Sequence, residues 1–232
     1  NQQPALVKAG FRVALFDNRG IAPSSECPQG FTIDDMVADT AGLIEHLGDG
    51  PAIVVGTSLG AHITQELALA RPDVVRGAVM IATYGRNTPL QRAISAGERA
   101  LYDNGITLPP DYEAAITAHL NLSPHTFDDD RHAQDWLDII GFSPQKVTPG
   151  VRAQYGIHEH DGNRLAAYRA ISVPTMVIGF ADDRTLPVKL AKEVADAIPG
   201  SRYEVVEKAG HFGYLEQPAR VNELLLEFLG QH

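Results

Sequence analysis

Short apolar runs alternate with helix-length amphipathic stretches along most of this chain, and few folds accept that alternation. Pro51–Gly56 (PAIVVG) is apolar on every position rather than on every second one, which is how a strand buried on both faces reads. Val75–Ala82, Thr175–Gly179 and Arg202–Val206 are predicted as further strands, and Phe11–Asp17 (FRVALFD) as one more ahead of them. Helical patterns separate them. Thr32 is placed to cap a helix with Asp34 and Asp35 in its first turn, one apolar face of Ile33, Met36, Val37, Ile44 and Leu47, and a stop at Gly48. Leu59–Ala70, Pro187–Ile198 and Pro218–Leu229 read as helices, and Asn1–Gly10 as the second half of one that ends at Gly10. Strands alternating with helices predict an α/β fold, a mostly parallel sheet with helices on both faces.

One stretch breaks the rhythm. Thr83–Ser172, about ninety residues, holds no convincing strand. Its helix starts are Thr88-Pro89, Pro110-Asp111 and Thr148-Pro149, its stops Gly105 and Gly141. The acidic triplet Asp128–Asp130 reads as a solvated helix start. The expected organisation is one core, residues 1–83 and 171–232, with a helical cap inserted at 84–170. A chain of 232 residues suits one such unit.

Charge and cysteine use narrow the function classes. Acidic residues outnumber basic ones 29 to 19, for a net charge of −10, and no basic run occurs, so nucleic acid and anionic membrane are not expected partners. The longest apolar stretches fall far short of the ~20 residues of a membrane span. Cys27 is the single cysteine, which excludes an intrachain disulfide framework or a cysteine metal cluster. The expectation is a soluble protein of the cytoplasm, although the sequence begins at Asn1 and any preceding signal peptide would not be seen in it.

Val54–Ala61 (VVGTSLGA) carries the pattern G-x-S-x-G. Alone it is weak, arising by chance in roughly one chain in ten of this length. Here it sits where an apolar strand passes into a helix. Such a turn strains the serine backbone and brings neighbouring chain close, and Gly56 and Gly60 are expected to provide the space. Ser58 is then lifted clear of the sheet at a helix N-terminus, where the Leu59 N–H faces a developing oxyanion.

A serine hydroxyl needs a base, and the base an orienting acid. Among nine histidines, His46 and His119 fall within helices, His62 on the helix after the turn, and His125, His132, His158 and His160 in the insertion; His232 is terminal. His211 alone lies in a Gly-flanked loop (KAGHFG) directly after the last strand, at the end of the sheet where α/β folds hold their chemistry. The loop after the preceding strand offers Asp182 and Asp183, and on sterics either reaches His211. The other is expected to meet solvent or to pair with Arg184.

From Phe11 to the C-terminus the chain resembles the α/β-hydrolase fold family, in its capped branch of enol-lactonases, cofactor-free haloperoxidases and carbon–carbon bond hydrolases. The resemblance rests on FDNRG (Phe16–Gly20), GTSLGA (Gly56–Ala61), DDRTLP (Asp182–Pro187) and AGHFGYLEQP (Ala209–Pro218), four motifs in the family's order. Relatives with a D-R-x-x-P loop use the Asp before the Arg, which implies Asp183 rather than Asp182. Serine at position 58 separates the chain from epoxide hydrolases and haloalkane dehalogenases, which carry Asp there. The family's strand order, 1-2-4-3-5-6-7-8, makes Phe11–Asp17 its strand 4 and leaves strands 1 to 3 outside this sequence, together with the loop that supplies a second oxyanion donor. It implies a longer native chain, or another polypeptide completing the sheet, since an empty slot would leave backbone groups unpaired at about 1–3 kcal/mol each.

The expected activity is that of a serine hydrolase on a carboxylic ester, lactone or related small acyl compound. Ser58 is the nucleophile, His211 the base and Asp183 the orienting acid, with Leu59 N–H in the oxyanion hole and no cofactor or metal. Rival readings with the same triad are carbon–carbon bond hydrolysis, cofactor-free haloperoxidase or perhydrolase chemistry, and a tailoring hydrolase or acyl transferase; a small-molecule receptor is the rival from another class. His158-Glu159-His160-Asp161 has metal-like spacing without further ligands and reads as incidental. Trp136 is a candidate pocket residue, while Asp17 and Arg19 are expected to tie their own loop.

Overall fold

The computed structural model describes residues 1–142, 147–157 and 162–232. The elements, in chain order, open with α1 (Gln2–Lys8), α2 (Ile33–Leu47), β1 (Ala52–Thr57), α3 (Leu59–Ala70) and β2 (Val75–Ile81). After β2 the described residues form helices: α4 (Pro89–Asp103), α5 (Pro110–Asn121), a 3-10 turn (Pro124–Phe127), α6 (Asp130–Phe142), α7 (Pro149–Ile157) and α8 (Leu165–Tyr168). The chain then returns to the sheet through β3 (Thr175–Phe180), α9 (Val188–Ala197), β4 (Arg202–Val206), α10 (Gly213–Glu216) and α11 (Pro218–Leu229). All strand pairs are parallel, in the order β1-β2-β3-β4.

The sheet is covered on both faces, and the alternation of side chains along the inner strands assigns them to two cores. Ala78 and Met80 of β2 and Val177 of β3 pack with Met36 of α2, Leu67 of α3 and Val194 of α9. Their neighbours Val79, Ile81, Met176 and Ile178 face the opposite way, against Leu6 of α1 and Leu224 and Phe228 of α11. Local signals set the helix ends. Thr32 accepts from the Asp35 N–H while Asp35 accepts from the Thr32 N–H, a capping box, and Gly48 closes α2 in the left-handed region at φ 71°.

Two expectations fail at the first strands. Phe11–Asp17 forms no ladder: its backbone has no regular structure, Leu15 is 70 % exposed and Phe16 45 %. A strand exists only through its neighbour's hydrogen bonds, and among the described residues no strand pairs with this segment. For the same reason β1, expected to be buried on both faces, is an outer strand paired with β2 alone, and its Val55 is 39 % exposed. Gly141 also does not stop a helix; α6 runs through it to Phe142.

Among its described residues the insertion holds no strand, and α4 and α6 bury no residue fully. Both of its ends are tied to α3. Gln65 donates to the Tyr84 carbonyl (3.0 Å) and to the Tyr168 hydroxyl (2.9 Å), and accepts from the Thr83 hydroxyl. Next to it, buried Glu66 takes a bidentate bond from Arg164 (3.0 and 2.6 Å) and one from the Tyr168 hydroxyl (2.9 Å). Burial and the adjacent Glu66 push the Tyr168 phenol far above its usual range, so it stays a donor. The helix that starts at the nucleophile turn thereby holds both the exit and the return of the insertion.

Candidate active site

The turn between β1 and α3 has the expected strain. Ser58 sits at φ 54°, ψ −117°, and its N–H is held by the Ile81 carbonyl of β2 at 3.0 Å. Gly56 is required there: a Cβ would lie 2.1 Å from the Gly60 carbonyl oxygen. Gly60 is not required for space, contrary to expectation, because a Cβ on it would meet nothing within 4 Å. The close approach is made by the Gly60 backbone against Gly56, so one glycine suffices.

The loops after β3 and β4 bring the other two predicted residues to this turn. His211 Nε2 lies 3.0 Å from Ser58 Oγ, and His211 Nδ1 lies 2.7 Å from Asp183 Oδ2. The second carboxylate oxygen of Asp183 accepts the Leu186 N–H at 2.7 Å, so both oxygens are oriented. Asp183 and His211 are 5 % and 8 % exposed. With Asp183 as an acceptor, Nδ1 carries the ring proton and Nε2 is left to accept from the serine hydroxyl. Ser58 is also the N-cap of α3, so the positive end of that helix, beginning with Leu59, points at the space in front of Oγ.

That space is a small hollow of about 100 Å³. Leu59, Tyr84, Ile94 and Leu186 give it apolar walls, and Gln91 and Ser95 of α4 add polar groups. Tyr84 is held by a parallel stack on buried His62, centroids 5.1 Å apart. Trp136 does not line this hollow; it lies on α6, where its indole N–H meets His132 Nε2 at 3.1 Å.

Asp182 departs from expectation. It meets neither Arg184 nor solvent alone, but accepts a 2.6 Å bond from the Ser123 hydroxyl, while Arg184 donates to the His119 carbonyl at 2.6 Å. Arg19 does tie its loop, through a bidentate bond to Asp39 of α2 (2.6 and 2.7 Å). Among the described residues no group of three or more His, Cys, Asp or Glu is placed to hold a metal, and His158–Asp161 lie outside them. No described helix is long and apolar enough to cross a membrane.

Residue-level reading missed Ser123, Tyr84 and the network of Gln65 and Glu66. It also missed Glu216, which stands inside the AGHFGYLEQP segment and joins Gly210 of that segment to Ser123 and Thr126, some ninety positions away.

A profile of the alpha/beta hydrolase fold matches residues 1–218. The Mycobacterium tuberculosis H37Rv protein provisionally named non-heme bromoperoxidase BpoC is 46 % identical over 228 residues, covering 98 % of this chain and 86 % of its own length. Its crystal structure superposes with a TM-score of 0.93 at 45 % identity, over 98 % of this chain and 84 % of that one. A thermophilic esterase from Thermogutta terrifontis superposes with a TM-score of 0.82 at 26 % identity, over 99 % of this chain and 84 % of its own. The provisionally named carbamate hydrolase RutD of Cronobacter turicensis is 30 % identical over 229 residues, 97 % of this chain and 82 % of its own. A profile match over nearly the whole length, and a relative near half identity with the same backbone, show that the chain belongs to the alpha/beta hydrolase fold family of enzymes.

Proposed function

We propose that the protein is a serine hydrolase acting on a carboxylic ester, lactone or related small acyl compound through an acyl-enzyme on Ser58. The observation that carries this reading is the continuous relay from Ser58 Oγ to His211 (3.0 Å) to Asp183 (2.7 Å), with the serine on a strained turn at a helix N-terminus. His211 Nε2 takes the Ser58 proton as Oγ attacks the carbonyl carbon, and Asp183 stabilises the imidazolium that results. The Leu59 N–H donates to the oxyanion. As the tetrahedral adduct collapses, His211 returns the proton to the leaving alkoxide. It then deprotonates a water that attacks the acyl carbon, which releases the carboxylic acid and restores Ser58.

The hollow of about 100 Å³, smaller than the ~150 Å³ that holds a benzene ring, favours a short acyl group in front of Ser58. Residues 84–170 act as a cap over it, with α4 supplying its outer wall. A second reading draws on the bromoperoxidase name of the relative at 46 % identity: hydrogen peroxide in place of water attacks the same acyl-enzyme and leaves as a peracid, with no metal needed.

Intact-mass spectrometry after treatment with a fluorophosphonate tests the reading. One adduct on the wild type, absent from Ser58→Ala, is expected, with p-nitrophenyl acetate turnover falling at least ~10⁴-fold in the variant. Turnover retained by Ser58→Ala would refute it.

A further inference from the structure

The loops that carry Asp183 and His211 are not held by the sheet alone. The corner at the end of α5 is wedged between them. Against the acid loop, the Leu120 carbonyl accepts from the Thr185 hydroxyl (3.1 Å), and the Ser123 hydroxyl donates to Asp182 (2.6 Å). Against the base loop, the Asn121 carbonyl accepts the Phe212 N–H at 2.8 Å. The approach is close enough that a Cβ on Gly210 would lie 2.5 Å from the Leu122 carbonyl carbon. Leu122 and Ser123 are fully buried in the wedge.

One side chain joins the three pieces. Glu216 Oε2 accepts the N–H of Gly210, the residue before His211, at 2.7 Å. Its Oε1 accepts the Ser123 N–H at 2.9 Å, together with the Thr126 hydroxyl. Ser123 continues the line to Asp182, next to the acid. We propose that Glu216 is a positioning residue for His211: its carboxylate fastens the base loop to the α5 corner, and Ser123 fastens that corner to the acid loop, so the spacing of Asp183, His211 and Ser58 is set through the insertion. The inference rests on the acyl-transfer role proposed for the triad.

A carboxylate is needed because three donors converge on it and it has acceptors only. Glu216→Gln places an NH₂ where an acceptor stood, so either Gly210 or the corner loses its partner while the volume hardly changes. The experiment is steady-state hydrolysis of p-nitrophenyl acetate by the full chain, with the rate of fluorophosphonate labelling measured beside it. Glu216→Gln is expected to lower kcat and the labelling rate together by about 10²-fold, with KM held within about twofold, at a temperature well below its own melting midpoint. A residue that only supports the fold would lower the midpoint and leave kcat at that temperature unchanged, so a kcat within about threefold of wild type overturns the proposal. Ser123→Ala removes the bond to Asp182 and the hydroxyl's cap on the His125 N–H, but keeps the Ser123 N–H on Glu216, and it carries the same test if Glu216→Gln fails to fold; about a tenfold loss of kcat is expected, and none would overturn it. In the double variant the losses are expected to fall short of their product, because both bonds belong to one chain of contacts. Wild type that neither labels nor turns over would remove the acyl-transfer reading itself, a result distinct from an active wild type with an unaffected Glu216→Gln.

Discussion

The nucleophile and its two partners are placed by different kinds of force. Ser58 is set by chain that is local in sequence: β1, the turn and the start of α3, with the Gly60 backbone pressed against Gly56 and one bond to β2. Asp183 and His211 stand on loops whose order comes from a distance, through the α5 corner, Ser123 and Glu216. A local device tolerates change elsewhere but not within itself, whereas a distributed one fails by degrees as its contacts are removed.

The largest expected effect separates two adjacent carboxylates. Asp183→Asn should lower kcat by about 10⁴-fold, since the amide can donate to Nδ1 and hold the wrong tautomer. Asp182→Ala should cost only about tenfold, because that side chain acts through Ser123 and not on the imidazole. Equal losses in steady-state kinetics would mean that the two side chains share one role. Gly56→Ala comes next: a Cβ 2.1 Å from backbone oxygen must break the turn, with a loss of at least about 3 kcal/mol in chemical denaturation and of fluorophosphonate labelling. Gly60→Ala, whose Cβ meets open space, should leave both measures near wild type, and a loss equal to that of Gly56→Ala would show that the turn needs two glycines.

The smallest effect lies in the insertion. Burial, helped by Glu113, raises the Glu98 carboxyl above its usual range. A carboxyl with a raised folded pKa favours the fold most when protonated, so its contribution declines as pH rises through the unfolded and then the folded value. Glu98→Gln should therefore melt slightly higher than wild type at neutral pH, with the difference vanishing in acid; melting curves at both pH values check the sign.

Much of the site could be read from residues because its signals are local. Gly56-x-Ser58 between an apolar strand and a helix marks the turn, and a Gly-flanked histidine after the last strand marks the base. The choice between Asp182 and Asp183 could not be read that way, as neighbouring side chains in a loop share every local property. It took the resemblance to suggest Asp183 and the 2.7 Å contact with His211 to place it there. Trp136 looked suited to a pocket by its type, but α6 points it at His132 on its own helix.

By itself the sequence determined the alternation of strand and helix, the caps of α2 and α4, and the nucleophile turn, all of which depend on dihedral preference and periodicity within a dozen residues. Only the tertiary structure decided that Phe11–Asp17 runs unpaired, that β1 is an outer strand, and that Ser123 and Glu216, 93 positions apart, meet between the acid and base loops. Hydrogen bonds between distant segments depend on which partner the fold brings within about 3 Å, and that distance is not a property of either segment alone.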